Sequence, residues 1–197
     1  MAKQYYKEQA SLKEKQSFAK YLAEDEELII ATSFSSTYLR QRFIIQLVLP
    51  GAVFVLLGLG LSYFYKFDLL WGLLLGLMLS ILFSLIKTWV TYQANRYLLT
   101  TRRVIVKRGF FTVKLASALY DKITHIEVDQ SFVDRMFLHH GTILVHTAGS
   151  NSDEIVLQYV ESPIEFKNIL ERLINREREQ YGRQMSPVVA LEGEVVD

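Results

Sequence analysis

The sequence predicts an α-helical membrane hairpin joined to a small α+β domain, in which short antiparallel strands form a barrel or sandwich capped by a C-terminal helix. Three observations carry this expectation. Hydrophobic residues make up 50% of the 197, yet the 48 residues from Phe43 to Val90 hold only three charges, Lys66, Asp68 and Lys87. After Tyr97 come short runs rich in β-branched and aromatic residues, separated by Gly109, Gly141 and the Gly149–Ser152 turn. From Pro163 onward the apolar residues take up helical spacing.

Residues 1–42 mix seven Lys/Arg with six Asp/Glu. Tyr5, Leu12, Phe18, Tyr21 and Leu22 predict an irregular amphipathic helix that breaks at the acidic run Glu24–Glu27. Its balanced charge favours packing on the cytoplasmic domain over lying on a bilayer, where surface helices are usually basic. Leu28–Phe34 then reads as a short strand or an extended lead-in.

Residues 43–90 form the hairpin. Phe43–Tyr65 and Leu69–Val90 reach about 33–35 Å each as helices, against a hydrocarbon core of about 30 Å. Only Lys66, Phe67 and Asp68 separate them, so the helices must be antiparallel. Tyr63, Phe64, Tyr65, Phe67 and Trp71 crowd the turn, while Phe43, Trp89 and Tyr92 mark the opposite rim, as aromatic residues do at membrane–water interfaces. The turn has one Lys, whereas Arg40, Arg42, Lys87, Arg96, Arg102 and Arg103 lie on the other side. This bias places both termini in the cytoplasm. An apolar run starting only at residue 43 does not resemble a cleavable signal peptide.

Gly72, Gly76, Ser80 and Ser84 recur every fourth residue and form a small-residue stripe, with Gly58 and Ser62 available to face it. Two uses are open, packing within the hairpin or assembly of a homo-oligomer. Gln46 and Pro50 imply at most a mild kink. No ionisable residue sits at mid-span, which argues against an ion or proton pathway.

The cytoplasmic domain is expected over residues 91–176. Its strands are Tyr97–Thr101, Arg103–Arg108, Phe110–Ala118, Ile123–Asp129, Thr142–Thr147 and Glu154–Tyr159. Ser162 as N-cap, Pro163 at the first helical position and Glu165 open the closing helix, whose core stripe is Phe166, Ile169, Leu170, Leu173 and Ile174. Residues 177–197 lack periodicity and read as a flexible tail.

Several stretches in order, YLLTTRRVIVKRGFF, ITHIEVDQSFVDRMFLHHGTILVHTAG and SPIEFKNIL, resemble the bacterial pleckstrin-homology (PH) domain of the YdbS-like membrane proteins. The motif positions are Tyr97, Thr100, Arg103, Gly109, Ile123, Val128, Gln130, Ser131, Arg135, Gly141 and Pro163. The two spans and the acidic EDEEL before them fit the same architecture, and the resemblance covers roughly residues 20–175. His139 and His140 depart from it, in a turn and not in the core. The resemblance implies a PH-like fold and a bacterial inner-membrane location.

Chemistry is sparse. The absence of cysteine excludes disulfides, Cys-ligated zinc, Fe–S clusters and thiol catalysis. A net charge of +1 argues against a nucleic-acid partner. No nucleophile elbow, phosphate-cradling loop or HExxH motif occurs, so neither catalysis nor a cofactor is expected. His125 and His146 read as cross-strand neighbours, and with Glu127 they are the one weak zinc arrangement; polar positions on a sheet face explain them better.

Charge distribution says more. Arg96, Arg102, Arg103, Lys107, Arg108, Lys114 and Lys122 face one acid, Asp121, within residues 96–122. Residues 123–165 reverse this, with seven acids against Arg135. The basic strands follow the second span directly, so Arg96, Arg102, Arg103, Lys107, Arg108 and Lys114 are candidate contacts for anionic headgroups. The expected role is a non-enzymatic protein- or lipid-interaction module, with a sheet edge or the open barrel end as its protein contact. The alternative is an accessory subunit of a membrane enzyme or transporter, held through the hairpin.

Overall fold

The computed structural model describes residue 6 and residues 9–66, 68–148 and 154–185. Tyr5, Phe67, the Gly149–Ser152 turn, Asp153 and residues 186–197 lie outside the described residues.

Helix α1, Leu12–Phe18, is opened by a capping box in which the Ser11 hydroxyl accepts from Glu14 N–H and Glu14 reaches back to Ser11. Strand β1, Leu28–Thr32, leads into helix α2, Ser36–Tyr65, and helix α3 runs Leu69–Ala94. Both helices are long and apolar enough to cross a membrane. Lys66 ends α2 in the left-handed conformation (φ 57°), and Asp68 caps α3 by accepting from Leu70 N–H. Pro50 lies within α2 without ending it.

Strand β2, Asn95–Thr100, starts at the residue after α3 ends. Strands β3, Arg103–Arg108, and β4, Lys114–Leu119, complete an antiparallel sheet of order β1-β2-β3-β4. Thr32 pairs with Tyr97 and Leu28 with Thr100, so β1 and β2 are adjacent strands whose connection is the entire helical hairpin. The division expected between residues 42 and 43 leaves β1 in the N-terminal segment, although it is a strand of the sheet formed by β2, β3 and β4. An isolated five-residue strand with balanced flanking charge gives no sequence sign of its partner, whose paired residues lie 65 to 72 positions further along the chain.

Strands β5, Ile123–Asp129, β6, His140–Thr147, and β7, Ile155–Glu161, form a second antiparallel sheet. Helix α4, Pro163–Met185, closes the domain. Its predicted stripe, Phe166, Ile169, Leu170, Leu173 and Ile174, is buried against Tyr97, Leu99, Val104, Ile143 and Leu157 from both sheets. The helix runs on past the expected limit at residue 176, and Arg178 donates to Ile123 O at 2.9 Å, which ties the added turns to β5. The predicted Phe110–Ala118 strand is shorter, because residues 110–113 form a loop.

The two sheets pack as a sandwich and do not close into a barrel. On the open side, β4 presents the small residues Ala116, Ser117 and Ala118 to a groove of about 560 Å³, bounded opposite by Glu154 and Ile155. The other face of the first sheet is also covered. Phe18 of α1 packs on Leu28, Leu98 and Ile105, with Tyr21 and Leu22 beside it, so the N-terminal helix docks on the domain.

Candidate functional site

The strand register sorts the basic residues into two groups. Asn95 pairs with Arg108, Arg96 with Lys107, and Arg108 with Lys114, all at the end of the sheet where the apolar helices leave it. Arg102 and Arg103 occupy the opposite end. At about 3.3 Å per residue, the length of β2 sets them about 16 Å further from the helices.

The distal pair is already neutralised. Arg103 donates from Nη2 to Glu26 Oε2 at 2.8 Å and from Nε to Glu26 Oε1 at 3.0 Å, and Arg102 meets Asp25 at 2.7 Å. Glu26 is buried and also accepts from the Thr100 hydroxyl and Ala23 N–H. Burial alone raises its pKa, but the hydrogen bonds from Arg103, Thr100 and Ala23 overcome this and hold the carboxyl below its usual value. The expectation of headgroup contact thus meets an internal partner at Arg103 and Arg102. The acidic run Glu24–Glu27, read as a helix break, supplies both acids.

At the proximal end, Arg96 lies against the exposed Tyr92 ring (4.0 Å) and the buried Phe18 ring (5.8 Å), and donates to Gln93 at 2.9 Å. Lys107 donates to Gln93 O, and Arg108 to Val156 O. Lys114 is exposed. Among the described residues Lys107, Arg108 and Lys114 have no carboxylate within ion-pair distance, and they flank the loop Gly109–Val113.

The second sheet braces this same end. β7 passes beside the first sheet, receiving Arg108 at Val156 O, Tyr97 Oη at Gln158 O (3.0 Å) and Ser35 N–H at Tyr159 O (2.7 Å). Tyr38, in the first turn of α2, stacks on Tyr159 at 3.8 Å between centroids and meets the buried His140 edge-on. Burial lowers the His140 pKa, and Asp134, 3.7 Å away, only partly opposes this. Ser33 Oγ donates to Tyr92 O and Asn95 O, closing β1 onto the end of α3. The join between domain and helices is therefore packed and hydrogen-bonded on both strands.

The small-residue stripe is buried inside the hairpin. A Cβ on Gly58 would stand 2.2 Å from Gly72 O, and one on Gly76 2.7 Å from Phe54 O. Ser62 meets Gly72, and Ser80 Oγ lies 3.4 Å from Leu47 O. Ser84 is fully buried. Gly58, Ser62, Gly72, Gly76 and Ser80 are thus in close contact within the hairpin.

His125 and His146 pair across β5 and β6 as expected, with stacked rings 5.9 Å apart and Glu127 within 3.8 Å of both. Both Nε2 atoms face the Glu127 carboxylate, and no group of three His, Asp or Glu residues suited to a metal ion occurs among the described residues.

The sequence pattern of the bacterial PH domain family matches residues 42–176, more than half of the chain. Among solved structures the chain is similar to a DUF1696 family protein with a pleckstrin-homology domain from Shewanella loihica PV-4 (12% identity, TM-score 0.43, covering 84% of this chain and 98% of that one). It is also similar to a pleckstrin homology domain from Shewanella amazonensis SB2B (12% identity, TM-score 0.44, covering 82% and 86%). No relative among curated proteins matches. With two antiparallel sheets, a closing helix and a family match running from the start of the apolar hairpin to the middle of α4, the chain belongs to the bacterial PH domain family.

Proposed function

We propose that this protein is a two-span integral membrane protein whose PH-like domain serves as a non-enzymatic interaction module at the cytoplasmic leaflet. The observation that carries the reading is the insertion of the apolar hairpin between adjacent strands β1 and β2, with three residues of connection on one side and none on the other. A domain joined in this way cannot swing freely, so the same sheet end always faces the bilayer. Lys107, Arg108 and Lys114 then sit within a Debye length (about 8 Å at physiological salt) of the headgroups, each attracted by about 1 kcal/mol, while Arg102 and Arg103 lie beyond it.

The protein contact in this reading is the free edge of β4 beside the open groove, where an extended peptide can add a strand. The Lys/Arg bias supports cytoplasmic termini.

The lipid part has a direct check. The Lys107→Glu, Lys114→Glu double variant, purified in mild detergent, is expected to retain several-fold less anionic phospholipid than the wild type. Arg102→Glu is expected to retain the wild-type amount. Equal retention in all three contradicts headgroup contact.

A further inference from the structure

We propose that the β3–β4 loop, Gly109–Val113, is a third membrane attachment that buries Phe110 and Phe111 in the interfacial zone of an anionic bilayer. This rests on the membrane-anchored reading above and adds a contact that the two helices do not provide.

The loop is a built feature. Gly109 has φ 95°, and a Cβ there would stand 1.9 Å from Thr112 O, so only glycine permits this turn. The turn folds the chain so that two phenylalanines occupy its tip, ring to ring at 5.2 Å. Phe111 is 94% exposed, more than any other large apolar side chain of the described residues. An aromatic ring left so bare on a fixed turn has water around it or another apolar phase.

Its position identifies that phase. Phe110 packs on Trp89 at 5.7 Å, and Trp89 belongs to the rim of the second apolar helix. Gly58 against Gly72 and Gly76, and Gly51 against Ser80, fix the antiparallel pairing of the helices. That pairing sets Trp89 level with Phe43, where the apolar stretch of α2 begins. The loop tip is therefore continuous with the apolar surface of the helices at their rim.

The chemistry around the tip fits the same occupant. Lys107 and Arg108 precede the loop and Lys114 follows it, with no carboxylate of the described residues in ion-pair range, while Val113 and Leu115 extend the exposed apolar strip. An aromatic tip inside a basic collar matches an apolar boundary beneath anionic phosphates. An apolar protein groove would supply no counter-charge for the collar.

The test uses the full chain, which has no cysteine of its own. Phe111→Cys and Leu119→Cys each receive an environment-sensitive nitrobenzoxadiazole label. Leu119 is the matched control, because it is also an exposed apolar residue of β4 but lies at the distal end. Each protein is reconstituted in vesicles of phosphatidylcholine and phosphatidylglycerol that contain shallow spin-labelled lipid. We expect the label at position 111 to shift to the blue and to be quenched by the lipid several-fold more than the label at position 119. Equal lipid quenching at the two positions overturns the proposal. In the same samples, resistance to alkaline carbonate extraction reports on the helices alone. A protein that stays embedded with an unquenched label refutes the loop contact only, and a protein that is extracted refutes the anchoring.

Discussion

Glu26→Ala is expected to destabilise the domain by about 3 kcal/mol. Glu26 is 7% exposed and accepts from Arg103, Thr100 and Ala23, joining the segment before β1 to the β2–β3 turn. Its loss leaves the partly buried guanidinium of Arg103 unpaired and the Thr100 hydroxyl one acceptor short, in a region where Tyr120 Oη also donates to Thr100 O. Denaturant unfolding of the detergent-solubilised protein, followed by circular dichroism of the sheet, measures it. A loss below about 1 kcal/mol, the value typical of an exposed ion pair, would show that the network is ornamental. The same carboxyl predicts a pH dependence. Its folded pKa lies below the ordinary 4.5, so its stabilisation is complete above that value and disappears as pH falls through the lower, folded one. The variant lacks this acid limb.

Gly58→Leu is expected to push the two helices apart, at a cost of about 2 kcal/mol or more. The clash is with backbone, Gly72 O at 2.2 Å and Gly76 N at 3.0 Å, and backbone inside a helix cannot turn aside as a side chain can. Gly60→Leu is the control, since a Cβ at Gly60 meets nothing within 4 Å. Thermal aggregation in detergent is expected to begin at a lower temperature for Gly58→Leu and at the wild-type temperature for Gly60→Leu. Similar behaviour of the two would mean that the close approach at Gly58 contributes nothing.

These cases also show what the sequence exposes and what it conceals. Period and punctuation carry local structure well. β3, β5 and the stripe of α4 are legible because β-branched runs, alternation and a Pro163 start act over a few residues. The hairpin and its small-residue face are legible for the same reason. Pairing between distant segments is not. Nothing local in Leu28–Thr32 signals β2 as its partner across two long helices, and nothing in EDEEL distinguishes Glu26, buried on Arg103, from its solvated neighbours. The basic block was visible as composition, but its division into a proximal and a distal half depends on strand register. Phe110 and Phe111 read as strand residues because aromatic rings suit strands. Only the turn at Gly109 reveals that they form a loop tip.

The hairpin's insertion into the sheet has a mechanical consequence. β1 and β2 continue into α2 and α3, so tilting of the helices bears directly on the β1–β2 ladder and on the aromatic cluster of Phe34, Tyr38, Tyr97 and Tyr159. In the proposed reading, a partner bound at β4 would be held at one height and one orientation above the bilayer. Placement of this kind suits a module that presents a binding edge to another membrane-bound protein.

The most direct test of the account is the sidedness of single cysteines in intact cells, because the native chain contributes none. Lys66→Cys lies at the hairpin turn and Ser117→Cys on the exposed edge of β4. A membrane-impermeant maleimide is expected to label Lys66→Cys in intact cells and Ser117→Cys only after the membrane is opened. Labelling of both in intact cells, of neither until lysis, or of Ser117→Cys alone would contradict a two-span protein that holds its PH-like domain at the cytoplasmic face.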